Sequence, residues 1–133
     1  MTGTGSAISL GDLADAHQAL AEKLDAQQSA LNYRGTQAAE LGRKSANLSA
    51  QASALRTLVV AAAIANRADA VAALKKATDD AKSATDTLKD AAEAIEVAGL
   101  LLSVGAAVAS GNPTAIIAAG LQLADYVGDQ APG

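Results

Sequence analysis

The sequence predicts an all-α protein: a long antiparallel helical hairpin, coiled-coil-like, with a short C-terminal third helix folded back to make a bundle. Three observations predict it. Of 133 residues, 36 are alanine, the strongest helix former, and the two prolines both lie after residue 112. Apolar residues recur with a seven-residue period along most of the chain. Residues 97–124 carry no charge and are interrupted only by Ser110-Gly111-Asn112-Pro113. No segment shows the alternation of β-branched and aromatic residues that a strand wants, and Phe, Trp and Cys are absent. One domain with a modest core fits this length.

Residues 1–8 are rich in Gly, Ser and Thr and read as a flexible N-terminus. A first long helix is expected over residues 9–65. Ser9 followed by Asp12 fits a capping box, and Ile8 and Leu13 stand where a hydrophobic staple belongs. One apolar row is Leu10, His17, Leu24, Leu31, Ala38, Ser45, Ala52 and Val59. The row three further on is Leu13, Leu20, Gln27, Arg34, Leu41, Leu48, Leu55 and Ala62. Rows so spaced are the seam of a left-handed coiled coil. Unbroken, such a helix would be about 85 Å long. His17, Gln27, Arg34 and Ser45 are polar faults in the seam, which can set register, although Arg34 can also carry its charge to solvent over a packed stem. Gly35 and Gly42 mark either a break or a close helix contact. A break at residues 32–36 would divide the helix in two.

Residues 58–65, LVVAAAIA, are apolar on nearly every face and should be buried all round. Asn66 can cap a new helix with Asp69 at the third position, giving a tight turn and a second helix over residues 67–109; one helix running straight through is the competing reading. The second helix repeats the rhythm in Val71, Thr78, Thr85, Ala92, Gly99, Ala106 and in Leu74, Ala81, Leu88, Ile95, Leu102, Ala109. Lys75/Asp79, Lys82/Asp86 and Lys89/Glu93 stand four apart, the spacing of a solvated, ion-paired face. Asp79, Asp80, Asp86, Asp90 and Glu93 therefore read as a wet surface and not as a metal site.

The charge-free stretch reads as helix, turn, helix. Gly111 can take the left-handed conformation that ends a helix, Asn112 is a good N-cap, and Pro113 suits the first position of a third helix over residues 113–127. Each arm is about 12 residues, roughly 18 Å, and falls short of a hydrocarbon layer of about 30 Å. Leu100, Leu101, Leu102, Val104 and Val108 on one arm, with Ile116, Ile117 and Leu121 on the other, make an apolar hairpin that must be sheltered from water. Folding the second helix back about Asn66 puts Ala109 beside residue 23. Leu10, Leu13 and Leu20 would then project without a partner, and Val59, Val60 and Ile64 would be covered by one helix only. Those six residues are the expected contacts with another molecule.

Little chemistry is on offer. The net charge is −4 and no Lys/Arg run exceeds two residues, which disfavours nucleic acid. His17 is the one histidine, on the seam, where it reads as structural with pH sensing as the alternative. There is no cysteine nucleophile, no H-E-x-x-H, no Walker loop and no G-x-G-x-x-G, so no catalytic, metal or cofactor residue and no small-molecule substrate is assigned. The N-terminus lacks the basic start and apolar core of a signal peptide, which points to a cytoplasmic protein or to export by a dedicated route. The leading expectation is a non-enzymatic assembly protein, a homo-oligomer or stable complex joined through the hairpin at 97–124. The alternative is a membrane-active protein that inserts this hairpin. In plan, long helices carrying one apolar helical hairpin, the chain resembles helical pore-forming toxins of the haemolysin E type. No motif matches residue by residue, and the scarcity of aromatics departs from that plan. An amphipathic coat for a lipid or polymer particle is a third reading.

Overall fold

A computed structural model of the protein describes residues 10–130. Six helices follow one another: α1 (Leu10–Ala30), α2 (Gly35–Thr57), α3 (Ala62–Ala65), α4 (Ala68–Asp86), α5 (Ala91–Ser110) and α6 (Pro113–Gln130). No strand occurs among the described residues. The helices pack together as a bundle, with α2 and α5 in contact, α5 on α6, and α6 against α4. The expected cap at Ser9 and the staple at Ile8 lie outside the described residues.

The first long helix is not continuous, and each interruption has a local cause. At Asn32 (φ 57°) and Tyr33 (φ 60°) the backbone turns left-handed. The Tyr33 N–H donates to the Gln28 carbonyl at 3.0 Å and the Asn32 N–H to that of Ser29 at 2.9 Å. This is a Schellman ending with asparagine, the residue after glycine best suited to that conformation, at its turning point. The chain then doubles back. Arg56 meets Asp15 at 3.0 Å, Ser45 Oγ donates to Asp25 Oδ1 at 2.6 Å, and Gln28 Nε2 donates to the Ala38 carbonyl at 2.9 Å. As the partner in α2 moves up the chain its partner in α1 moves down, so α1 and α2 are an antiparallel pair within a stretch that reads either as one rod or as two helices broken at residues 32–36.

Residues 58–61 leave the helix as an extended link. Leu58 (φ −74°, ψ 133°) and Ala61 (φ −61°, ψ 141°) bracket it. Four-residue α3 follows, and Asn66 ends that helix instead of starting the next. Arg67 stands at the N-cap of α4 without a side-chain cap bond, and its guanidinium holds Asp69 by two bonds of 2.9 and 2.7 Å.

The second long helix is likewise two. Asp90 caps α5 by accepting from the Glu93 N–H at 2.8 Å, while Glu93 Oε1 accepts from the Lys89 N–H at 3.0 Å. This is a near relative of the capping box. Within α4, Lys76 pairs with Asp80 at 3.0 Å. The third helix begins as its residues dictate and runs to Gln130. Gly111 is left-handed (φ 76°), and Asn112 Oδ1 accepts from the N–H groups of Thr114 and Ala115 at 3.0 and 3.3 Å.

The core is leucine and alanine. Leu13, Leu20, Leu24, Leu41, Leu48, Leu55, Leu74, Leu101, Ile116 and Leu123 are all but sealed from water. Each such side chain contributes about 1.5–3 kcal/mol by leaving water. The seam rows stay buried through α1 and α2 apart from half-buried Gln27, and come to the surface between and beyond them, where Leu31, Arg34, Val59 and Ala62 are exposed. Alanine and glycine let helices approach closely. A Cβ on Gly120 would lie 3.4 Å from the Ala73 carbonyl oxygen of α4. Among the described residues, Gln27 Oε1 is the buried side-chain oxygen without a hydrogen-bond partner.

Candidate functional site

Four of the six expected contact residues belong to the protein's own core. Leu10, Leu13 and Leu20 are buried on α1, over which α2 folds back, and Ile64 is buried on α3, which packs on α4. Val59 is 88% exposed and Val60 half-buried, so this part of the expectation stays at the surface. The position of Ala109 also changes. Gly105 of α5 lies against Gln51 of α2, and Gln51 bonds His17 of α1, so the end of α5 sits toward the start of α1 and not beside residue 23.

The apolar hairpin divides by face. Leu101, Val104, Val108 and Ile116 point into the core, Leu100, Leu102 and Ile117 are half-buried, and Leu121 is 59% exposed. Between Leu100 and Leu102, the outer side of α5 is made of small groups: Gly99, Ser103, Ala106 and Ser110. A Cβ on Gly99 would meet nothing within 4 Å. The extended link ends beside the hairpin turn, where a Cβ on Gly111 would lie 3.4 Å from that of Ala61. Residues 97–124 thus present an outer face without one charge, whereas α4 shows water Lys75, Lys76, Asp79, Lys82 and Asp86.

α5 runs from Ala91 to Ser110, 20 residues and about 30 Å of helix. Among the described residues it is the one helix long and apolar enough to cross a membrane, and fewer than half of its residues are fully buried. The charge-free arm within it, residues 97–110, is 14 residues long, and the 20-residue length is reached by including Glu93 and Glu96.

A polar junction lies inside the apolar core. His17 is fully buried. Its Nδ1 is 2.9 Å from the Leu13 carbonyl oxygen and its Nε2 is 2.5 Å from Gln51 Oε1. Gln51 Nε2 donates to the Leu102 carbonyl at 3.3 Å. Three helices are therefore joined through one imidazole and one amide. Gly105 makes this possible, because any side chain there would occupy the space of the Gln51 amide. Burial pushes the His17 titration below the ordinary 6.5, against the opposing pull of its bonds to Leu13 and Gln51. Neither Gln51 nor its glycine socket stands out in the sequence by period or motif; a glycine inside an apolar helix is the one available signal.

At the other end of the hairpin, Tyr126 is half-buried, and its hydroxyl is held above its ordinary range by burial and then by Glu93, Glu96 and Asp90. Among the described residues no three His, Asp or Glu side chains gather closely enough to hold a metal ion. Comparison of the chain with protein-family models, curated proteins and solved structures finds no match.

Proposed function

We propose that the protein is a non-enzymatic helical assembly module, and that it self-associates through the outer face of the α5–α6 hairpin, with Val59 at its margin. The observation that carries this is the charge-free outer surface of residues 97–124 on a chain of net charge −4. Two identical acidic chains repel wherever their charged faces meet, and this face is where they can touch without opposing like charges. Its chemistry suits a helix from a second copy: Gly99, Ser103 and Ala106 allow close approach, and Leu100, Leu102 and Leu121 supply apolar area. Uncharged apolar surface of this kind commonly marks a contact.

Sedimentation velocity over a concentration series tests the proposal. The wild type should associate, more strongly as salt screens the net charge. Leu121→Asp should remain monomeric with unchanged helicity, since Leu121 lies outside the core. A wild type that stays monomeric at high micromolar concentration overturns the reading.

A second reading, insertion of the hairpin into a bilayer, is favoured by the 20-residue length of α5. Dye-loaded vesicles separate the two. A self-associating module leaves them intact, while a membrane-active one releases dye and loses that ability in Leu121→Asp.

A further inference from the structure

We infer that the His17–Gln51–Leu102 junction is a proton-sensitive latch: charging His17 loosens the seat of α5 on the α1–α2 pair. The inference does not depend on what the outer face of the hairpin meets.

The geometry sets the problem. Both imidazole nitrogens face oxygen atoms, those of the Leu13 carbonyl and the Gln51 amide. A neutral imidazole has one N–H and an imidazolium has two. In the neutral form one of those two approaches lacks a proton. Turning the Gln51 amide repairs it, but sets the amide oxygen against the Leu102 carbonyl and cuts the bond from α2 to α5. The neutral junction therefore holds together with little margin.

The charged form satisfies both oxygens, yet it must place a full charge in an apolar core with neutral acceptors alone. Among the described residues no carboxylate bonds to the His17 ring. On α1, Asp12 and Asp15 are exposed, and Asp15 is held by Arg56 of α2. On α4, Lys75, Lys76, Asp79 and Lys82 are exposed, and half-buried Asp80 pairs with Lys76. On α5, Glu93 and Glu96 sit at the far end, beside Tyr126. Desolvation outweighs the two hydrogen bonds, which places the His17 titration below 6.5. The sign follows from linkage. A histidine whose folded titration point is depressed contributes stability at pH above the unfolded value of 6.5, and that contribution is lost as pH falls from there toward the folded point. The state that takes up the proton is one in which water reaches the ring, and the opening that the junction's own bonds define is Gln51 parting from His17 and from the Leu102 carbonyl of α5.

Because His17 is the sole histidine, its ring signal in NMR is unambiguous. The experiment follows that signal from about pH 8 to 4.5 in the intact chain, with amide exchange corrected for its intrinsic pH dependence. His17 should titrate below 6.5. Protection of residues 101–106 should fall by up to about tenfold per pH unit over the window between 6.5 and the measured midpoint, ahead of the rest of the core. Gln51→Glu supplies the missing carboxylate and should raise the midpoint, and because its second oxygen cannot donate to the Leu102 carbonyl it should also lower the protection of α5 across the whole pH range. A wild-type midpoint at or above 6.5, protection of α5 that is flat with pH, or an equal loss across all helices would each overturn the latch, and all three are read on the wild type alone.

Discussion

Replacing Gly105 by alanine should destabilise this protein, although helix propensity argues the reverse. In an exposed helix interior, Gly→Ala is worth about 1 kcal/mol in favour of the helix. At Gly105 the new Cβ would overlap the Gln51 Oε1 and Cδ atoms and lie 2.9 Å from its Nε2. Gln51 is long and half-buried, so it can swing away without moving backbone. The cost is in what it abandons: the bond to the Leu102 carbonyl and the partner of a buried His17 nitrogen. A lost hydrogen bond costs about 0.5–1.5 kcal/mol, and a buried polar atom left unpaired about 1–3 kcal/mol. Set against the propensity gain, the net loss should be about 1–3 kcal/mol, read as a lower urea midpoint with an unchanged slope. Gly99→Ala is the control, since its Cβ meets nothing within 4 Å, and it should gain about 0.5–1 kcal/mol. In a Gln51→Ala background the obstacle is gone, and Gly105→Ala should turn stabilising. A Gly105→Ala protein more stable than the wild type would refute the account of the junction.

Gln27→Leu should stabilise the fold by about 1 kcal/mol in urea unfolding, because it removes a buried oxygen that has no partner; a loss of stability would show that the oxygen is solvated. Asp90→Ala should cost about 1 kcal/mol and fray the first turn of α5, seen as faster amide exchange at Glu93, since the N-cap bond disappears. Leu101→Ala should cost about 2–5 kcal/mol, while Leu121→Ala should change monomer stability by no more than about 0.5 kcal/mol. Equal effects from the two would contradict their opposite placement in core and at surface.

The helical class and the turn at Gly111–Pro113 could be read from the residues because their causes are local: alanine content, a left-handed glycine, an asparagine cap. The interruptions were harder. The heptad rows pass from α1 to α2 without a change of phase, since the turn falls on residues 31–34 and the seam positions on either side, Leu24 and Ala38, both return to the core. Periodicity is blind to a turn that preserves phase. The link at 58–61 carries neither Gly nor Pro, so nothing in its composition marks the departure from helix. Asp90 and Glu93 did carry a signal, the spacing of a capping box, but beside Lys89 they read equally well as one more charged pair. At that turn the phase does change. Thr78, Ala81 and Thr85 of the second set of rows are buried in α4, whereas Ala92, Ala106 and Ala109 of the same rows are exposed in α5. The polar junction was legible only in its histidine, a polar fault on the seam; that His17 meets Gln51 and Leu102 depends on which residues of three helices come together, and that follows from the turns.

The extended link at 58–61 has one more consequence. On one side of it stand α1 and α2, already paired; on the other, α4, α5 and α6 are joined by short turns of their own. A single stretch of non-helical backbone, with Val59 open to solvent, is all that tethers them covalently. A protease that nicks it would sever no helix, and two fragments divided there would each contain whole helices, α1 and α2 in one and α3 to α6 in the other. Such a molecule is suited to being split and rejoined, with recovery of the whole reporting that the two pieces have met.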